Sequence, residues 1–179
     1  MKIHPHTSSD YHAIAELRWH LKKDDMRGLN DRRKREYVDQ YVRHLVETDQ
    51  EGRTVHWLIE EDGAVVGVMT VRIVQKEPSP IRESRSWGYL MSSFVVPEKR
   101  NRGLGTQLLE AIKSWARDLG LELLIVWPSA ASYPFYRRAG FKGRDVPLEL
   151  MLKANEGRHI PRPLAPKKAD KRTDYCGAQ

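Results

Sequence analysis

Hydrophobic positions along this chain switch between a helical and an alternating period, and the switches mark its elements. Residues 1–6 carry a weak strand signal. Thr7-Ser8-Ser9-Asp10 has helix N-cap chemistry, with Thr7 and Asp10 at capping-box spacing. Tyr11, Ile14, Leu17 and Leu21 then recur on one helical face. Residues 24–30, DDMRGLN, form a polar break. A second helix is predicted from about Asp31, with Tyr37, Val38, Tyr41, Val42 and Leu45 as its buried stripe. Thr54–Glu60 and Ala64–Val74 read as two strands around Glu61-Asp62-Gly63, where Asp-Gly is a strong hairpin signal. Residues 77–85 contain two prolines and read as a loop. Trp87–Val96 is apolar and aromatic, as a mostly buried strand should be, and Pro97 ends it.

Helical spacing returns at Leu104, Leu108, Leu109, Ile112, Trp115, Ala116 and Leu119, with Gly120 where a C-cap is expected. Leu121–Trp127 is a short apolar run consistent with a central strand, stopped by Pro128. Residues 131–139 predict a short helix closed by Gly140. Phe141–Leu152 reads as a last strand interrupted by Pro147. The predicted order is β-α-α-β-β-β-α-β-α-β. That order implies an α/β or α+β sandwich, one sheet with helices on its faces.

Composition narrows the class. The chain has 179 residues, a length that favours one ordinary domain, and 40% hydrophobic content is enough for a core. No run approaches the ~20 apolar residues of a membrane span, and the first residues hold no hydrophobic signal region. A lone cysteine, Cys176, excludes an internal disulfide and fits a reducing compartment, so a cytoplasmic location is expected. The net charge of +7 is uneven, with +4 falling from Lys153 onward. Residues 154–179, rich in proline and lysine, are expected to be a disordered tail behind a domain of residues 1–153. Basicity that belongs to a tail does not require a nucleic-acid-binding fold, so nucleic acid is expected only through that tail. The histidines are scattered; His4 and His6 lack an acidic or thiol partner in sequence, and no metal site is expected.

The chemistry lies in the turn after the Trp87–Val96 strand. Glu98-Lys99-Arg100-Asn101-Arg102 is followed by Gly103-Leu104-Gly105-Thr106 and then by a helix. The first N–H groups of a helix lack intrahelical partners, and the helix dipole adds positive potential there. Glycines let an anion approach that backbone, and Arg100 and Arg102 add charge. Together these make a pyrophosphate cradle. It is neither a Walker loop, which needs Gly-Lys-Ser/Thr, nor the three-glycine dinucleotide fingerprint. The same residues also fit a plain strand–helix turn.

Arg100-Asn101-Arg102-Gly103-Leu104-Gly105 resembles the (Gln/Arg)-x-x-Gly-x-(Gly/Ala) signature of the GNAT superfamily of acetyl-CoA-dependent N-acetyltransferases. A second block, Ser132-Tyr133-Pro134-Phe135-Tyr136-Arg137-Arg138-Ala139-Gly140-Phe141, is similar to the superfamily's Ala-x-x-Phe-Tyr-x-x-x-Gly-Phe segment. The resemblance covers about residues 1–153. It implies a GNAT-like central mixed sheet of six to seven strands flanked by about four helices.

The resemblance further implies acetyl transfer from acetyl-CoA to a primary amine of a small molecule or peptide. The pyrophosphate would sit on the backbone amides from Arg102 through Gly103, Leu104 and Gly105 to Thr106, with Arg100 and Asn101 nearby. The pantetheine would pair with the end of the fourth strand, which maps to Phe94, Val95 and Val96, where a bulge parts that strand from the fifth. The N–H of Val95 would face the thioester oxygen as it becomes an oxyanion. Tyr136 matches the tyrosine that protonates the departing thiolate; packing beside Phe135 is its bland alternative. Ser129 stands where the superfamily often has asparagine, and Ser132 replaces a common alanine; both, with Phe135, are expected near the cofactor. The fourth strand offers Tyr89, Ser92 and Ser93 but no carboxylate, so a water held by Ser92 is expected to take the amine's proton. Asp24, Asp25 and Glu83 could attract a cationic acceptor, although each singly reads more simply as a solvated loop carboxylate; Tyr89, with Trp19, Trp57 and Trp87, could line its pocket or belong to the core. An acyl-CoA-binding module without turnover is the competing class. Dimers are common in the superfamily, which leaves a homodimer open.

Overall fold

The structure is a computed structural model that describes residues 1–26, 29–78, 80 and 86–143, with Asp25 described by its backbone only. Residues 1–127 form one compact unit, and residues 128–143 are the described part of a second.

The first unit contains β1 (Lys2–Pro5), α1 (Tyr11–Asp25), α2 (Lys34–Gln50), β2 (Thr54–Glu61), β3 (Ala64–Val74), β4 (Trp87–Val95), α3 (Leu104–Asp118) and β5 (Leu124–Val126). The second contains α4 (Tyr133–Arg138). The strands make one sheet in the order β1-β2-β3-β4-β5, antiparallel except for the parallel β4–β5 pair. This is the mixed sheet with helices that the periodicity predicts. Its strand count is five among the described residues, short of the six to seven expected. The expected last strand, Phe141–Leu152, is not a strand over residues 141–143, and the rest of it lies outside the described residues, as does the tail.

The run Leu121–Trp127 shortens to Leu124–Val126 because its first amides are already committed. Leu121 N–H closes the end of α3 on the Ala116 carbonyl at 2.9 Å, and Glu122 N–H donates to the Ser86 carbonyl at 2.9 Å. Gly120, at φ +74°, supplies the left-handed turn that this closure needs. At the other end of the chain, the Thr7–Asp10 pairing forms as predicted. Thr7 N–H donates to the Asp10 carboxylate at 2.7 Å, on a 3-10 turn that leads into α1.

Successive strand residues face opposite sides of the sheet, so the neighbours Trp57 and Leu58 divide its two faces. Leu58, Val68 and Phe94 pack against Ile14 and Leu17 of α1 and Leu45 of α2. Trp57 on the other face meets Trp115 of α3, with ring centroids 5.9 Å apart. The predicted stripe of α3 is buried at Leu104, Leu108, Leu109, Ile112 and Ala116, whereas Leu119, past the helix end, is half exposed. Gly88 is needed where β4 meets β5, because a Cβ there would lie 2.6 Å from Leu124 Cδ2 and 3.0 Å from Val71 Cγ1.

Beneath α1 and α2 a polar strip runs from a buried pair, His56 and Thr70, out to exposed Asp49. His56 Nδ1 and Thr70 Oγ1 are 2.8 Å apart, and Tyr11 donates to Asp49, which also lies 3.2 Å from His6 Nε2. Burial, reinforced by nearby His6, pushes the His56 imidazole down to about 4.

Candidate functional site

The register of β4 carries the central feature. Val68 pairs with Phe94, but Thr70 pairs with Met91, so β4 spends one residue more than β3 over this stretch. That is a bulge, and Ser92 absorbs it at φ +51°, left-handed backbone that a non-glycine residue rarely adopts. On the other side, β5 pairs only with Gly88, Tyr89 and Leu90. Among the described residues no strand covers the edge from Met91 to Val95.

The ladder decides which backbone groups this edge presents. Val96 N–H donates to the Val66 carbonyl of β3 at 3.0 Å. Because an antiparallel ladder alternates, Phe94 turns its N–H toward β3 as well, and Val95 turns its N–H to the open edge. Of the three residues expected to meet pantetheine, Val95 therefore offers the free donor. The Phe94 side chain belongs to the core.

The strand leads through a 3-10 turn, Pro97–Lys99, into α3. Asn101 and Gly103 adopt left-handed backbone, with φ of +60° and +78°. Gln107 N–H, bonded to the Gly103 carbonyl at 3.0 Å, is the first amide with an intrahelical partner. The N–H groups of Gly103, Leu104, Gly105 and Thr106 precede it, and among the described residues no side chain caps them. Gly103 has open space around it, with only Gln107 Nε2 at 4.0 Å from an added Cβ. Leu104 is buried and anchors the turn.

The cations around this turn are not all free to meet an anion. Arg100 folds back: its Nε donates to the Val95 carbonyl at 2.8 Å, its Nη2 bonds Asp24 at 2.6 Å, and its guanidinium lies 5.2 Å from the Phe94 ring centre. Lys99 bonds Glu61 at 2.8 Å and holds that carboxyl below its ordinary range, while Arg102 stands 3.8 Å from the same carboxylate. Arg100 thus ties the turn to the strand end, and the exposed Arg102 is the looser charge.

Ser92 Oγ accepts a hydrogen bond from Arg18 Nη1 at 2.8 Å. Asp24 is taken by Arg100. Glu83 and the Asp25 side chain lie outside the described residues. Tyr89 sits in the paired part of β4, with its ring edge-to-face on Trp127 at 4.7 Å. Trp19 and Trp57 are core. A groove of about 390 Å³ between α1 and α2 is lined by Trp19, Lys22, Met26, Leu29, Glu36 and Tyr37, among others.

In the second unit, the Ser129 carbonyl accepts from the Ser132 and Tyr133 amides at 3.0 and 2.9 Å, and the two serine hydroxyls are 3.0 Å apart. This turn opens α4. Tyr136 is 5% exposed, and its ring meets those of Phe135 and Phe141 edge-on at 4.9 and 5.5 Å. Arg18 and the inward fold of Arg100 had no place in the motif reading. For Arg18 a signal existed, since it lies four residues after Ile14 and three before Leu21, on the apolar face of its helix.

Among the described residues, no histidine, cysteine and carboxylate cluster fit for a metal occurs, and no helix is long and apolar enough to cross a membrane.

The family model described as Acetyltransferase (GNAT) family matches residues 13–141, and the chain belongs to that family. A glucosamine 6-phosphate N-acetyltransferase of Trypanosoma brucei brucei is 30% identical over 90 residues, 50% of this chain and 59% of that protein. An amino-acid acetyltransferase of Azotobacter vinelandii is 26% identical over 145 residues, 81% of this chain and 28% of that protein. The chain therefore spans less than two thirds of the length of either relative. Among solved structures, a predicted acetyltransferase with acetyl-CoA from Clostridium acetobutylicum has the same fold. It superimposes with a TM-score of 0.69 at 18% identity, covering 84% of this chain and 96% of that one.

Proposed function

We propose that this protein transfers the acetyl group of acetyl-CoA to a primary amine by direct attack in a ternary complex. The observation that carries the reading is the open edge of β4 beside the uncapped start of α3. An edge N–H at Val95 and free amides from Gly103 to Thr106 suit, in that order, a thioester and a pyrophosphate. Membership of the acetyltransferase family supports the same chemistry.

The step balances as follows. The neutral amine attacks the thioester carbonyl, and the oxygen, as it gains negative charge, is met by Val95 N–H. The carbon–sulfur bond breaks, an amide forms, and the thiolate leaves as coenzyme A. Tyr136 gives the thiolate its proton; a phenol near ~10 is a workable acid for a thiol near ~8.5. The amine's own proton passes to a water held by Ser92. Ser129, Ser132 and Phe135 flank the cofactor in this reading. The names of the two relatives specify an amino-sugar phosphate and an amino acid, and these are the acceptor classes to try first.

The test is a calorimetric titration of the purified protein with acetyl-CoA, followed by an amine screen that reads thiol release. Binding followed by turnover that Tyr136→Phe removes is the expected result. Binding with no turnover on any amine would favour the non-catalytic acyl-CoA-binding module. No binding would overturn both.

A further inference from the structure

The described carboxylates of α1 each have a cation of their own. Glu16 pairs with Lys34 at 2.5 Å, and Asp24 pairs with Arg100 at 2.6 Å. Arg18 of the same helix differs. Among the described residues no carboxylate is within ion-pair distance of it, and its neighbours are hydroxyls. Nη1 bonds Ser92 Oγ at 2.8 Å, and the guanidinium lies close enough to the Tyr37 and Tyr41 phenols to act on both by charge. Its Nε–H is buried and, among the described residues, has no hydrogen-bond partner.

A half-buried guanidinium with a stranded donor is costly unless something supplies the missing charge and acceptor. Its partner Ser92 is the bulge residue of β4, so the unmatched charge stands on the open half of that strand, on the side of α1 and α2. A planar fork of N–H donors fits a carboxylate or a phosphate best, since both offer two oxygens at the matching spacing.

We infer that Arg18 reads an anionic group on the acceptor, so that the amine acetylated by this protein belongs to a small molecule carrying a carboxylate or a phosphate. This rests on the acetyl-transfer reading above and replaces the cationic acceptor that Asp24, Asp25 and Glu83 suggested from sequence. The guanidinium takes no part in bond making. It holds the anion, and so aims the amine at the thioester beside Val95.

The experiment has two readouts. In the first, the protein is saturated with coenzyme A, so that its phosphate cradle is filled, and the Arg18 Nε–H resonance is followed by NMR while glycine or inorganic phosphate is added. The variant Arg18→Gln, which lacks this N–H, assigns the resonance; a saturable shift with either probe is expected, and a resonance unmoved by both overturns the inference. In the second, turnover is compared within matched pairs, glycine against glycinamide and glucosamine 6-phosphate against glucosamine. The wild type should prefer the charged member of one pair by about 10- to 100-fold in kcat/KM, and the pair that responds tells carboxylate from phosphate. Arg18→Gln should erase that preference mainly through KM, and Arg18→Lys should restore part of it. A preference that survives Arg18→Gln, or a wild type that prefers the neutral members, overturns the inference. Calorimetry with acetyl-CoA on each variant separates the two ideas, because Arg18→Gln should bind it as the wild type does. Loss of acetyl-CoA binding by the wild type itself would defeat the proposed function instead.

Discussion

The two halves of β4 are both uncharged and are opposite in condition. From Trp87 to Leu90 the strand is paired on β3, and from Gly88 to Leu90 on β5 as well, packed so closely that Gly88 has no room for a methyl group. From Met91 to Val95 it keeps β3 but loses β5 behind a bulge, and its outer groups face whatever enters. The closed half turns burial into stability. The open half gives up ladder bonds and accepts a left-handed Ser92, and it gains an edge donor, an arginine with no carboxylate partner among the described residues, and access to the start of α3. Backbone strain of this kind persists only where the surroundings hold it. Here the closed half, two residues away, is that support.

Substitutions should sort by half. The largest effect is expected from Gly103→Glu at the mouth of the open half. It puts a side chain on left-handed backbone and a negative charge on the uncapped amides, so acetyl-CoA affinity should fall about 100-fold or more by calorimetry. The melting temperature should move little by comparison. Unchanged affinity would show that the start of α3 is a turn and nothing more. Next, Tyr136→Phe should lower kcat by about 100-fold or more and leave acetyl-CoA affinity as it was. An equal fall in affinity would reduce Tyr136 to a packing residue beside Phe135 and Phe141.

In the closed half, Gly88→Ala should cost about 1–3 kcal/mol of stability by chemical denaturation, because Leu124 and Val71 must move. Per bound molecule, its acetyl-CoA affinity should be that of the wild type. A ligand-specific loss would mean that the halves are not separable. Acid should act on the covered sheet too. His56 is held neutral by burial at about 4, below its unfolded value near ~6.5, so the unfolded chain takes up a proton first. The stability due to its neutrality is complete above about pH 6.5 and is lost as the pH falls toward 4, a change of about 2–3 kcal/mol that His56→Gln should flatten. The smallest effect belongs to Asp24→Ala. Its pair with Arg100 is nearly half exposed and worth about 0.2–1 kcal/mol in a thermal melt. A large loss of turnover there would restore Asp24 as an acceptor contact.

The sequence made the strand, the turn and the helix after it legible, because each is written locally. An uncharged strand ends at a proline, glycines follow, and helical spacing begins at Leu104. The open edge was less legible. It depends on β5 stopping at Val126, opposite Leu90 and two residues before Pro128. Residue type does not announce the bulge either, since Ser92 is no glycine. Arg100 read as a phosphate ligand because its partner, Asp24, is 76 residues away and comes near it only in the fold. Arg18 was the readable residue that motif matching passed over. A cation on the apolar face of an amphipathic helix needs a reason, and none of the predicted roles supplied one.

The most direct test of the account is an amide chemical-shift titration with acetyl-CoA. The account predicts saturable shifts at Val95 and from Gly103 to Thr106, with small ones from Gly88 to Leu90. Saturable binding that leaves Val95 and the first amides of α3 unmoved, or that moves the closed half as strongly, would contradict it.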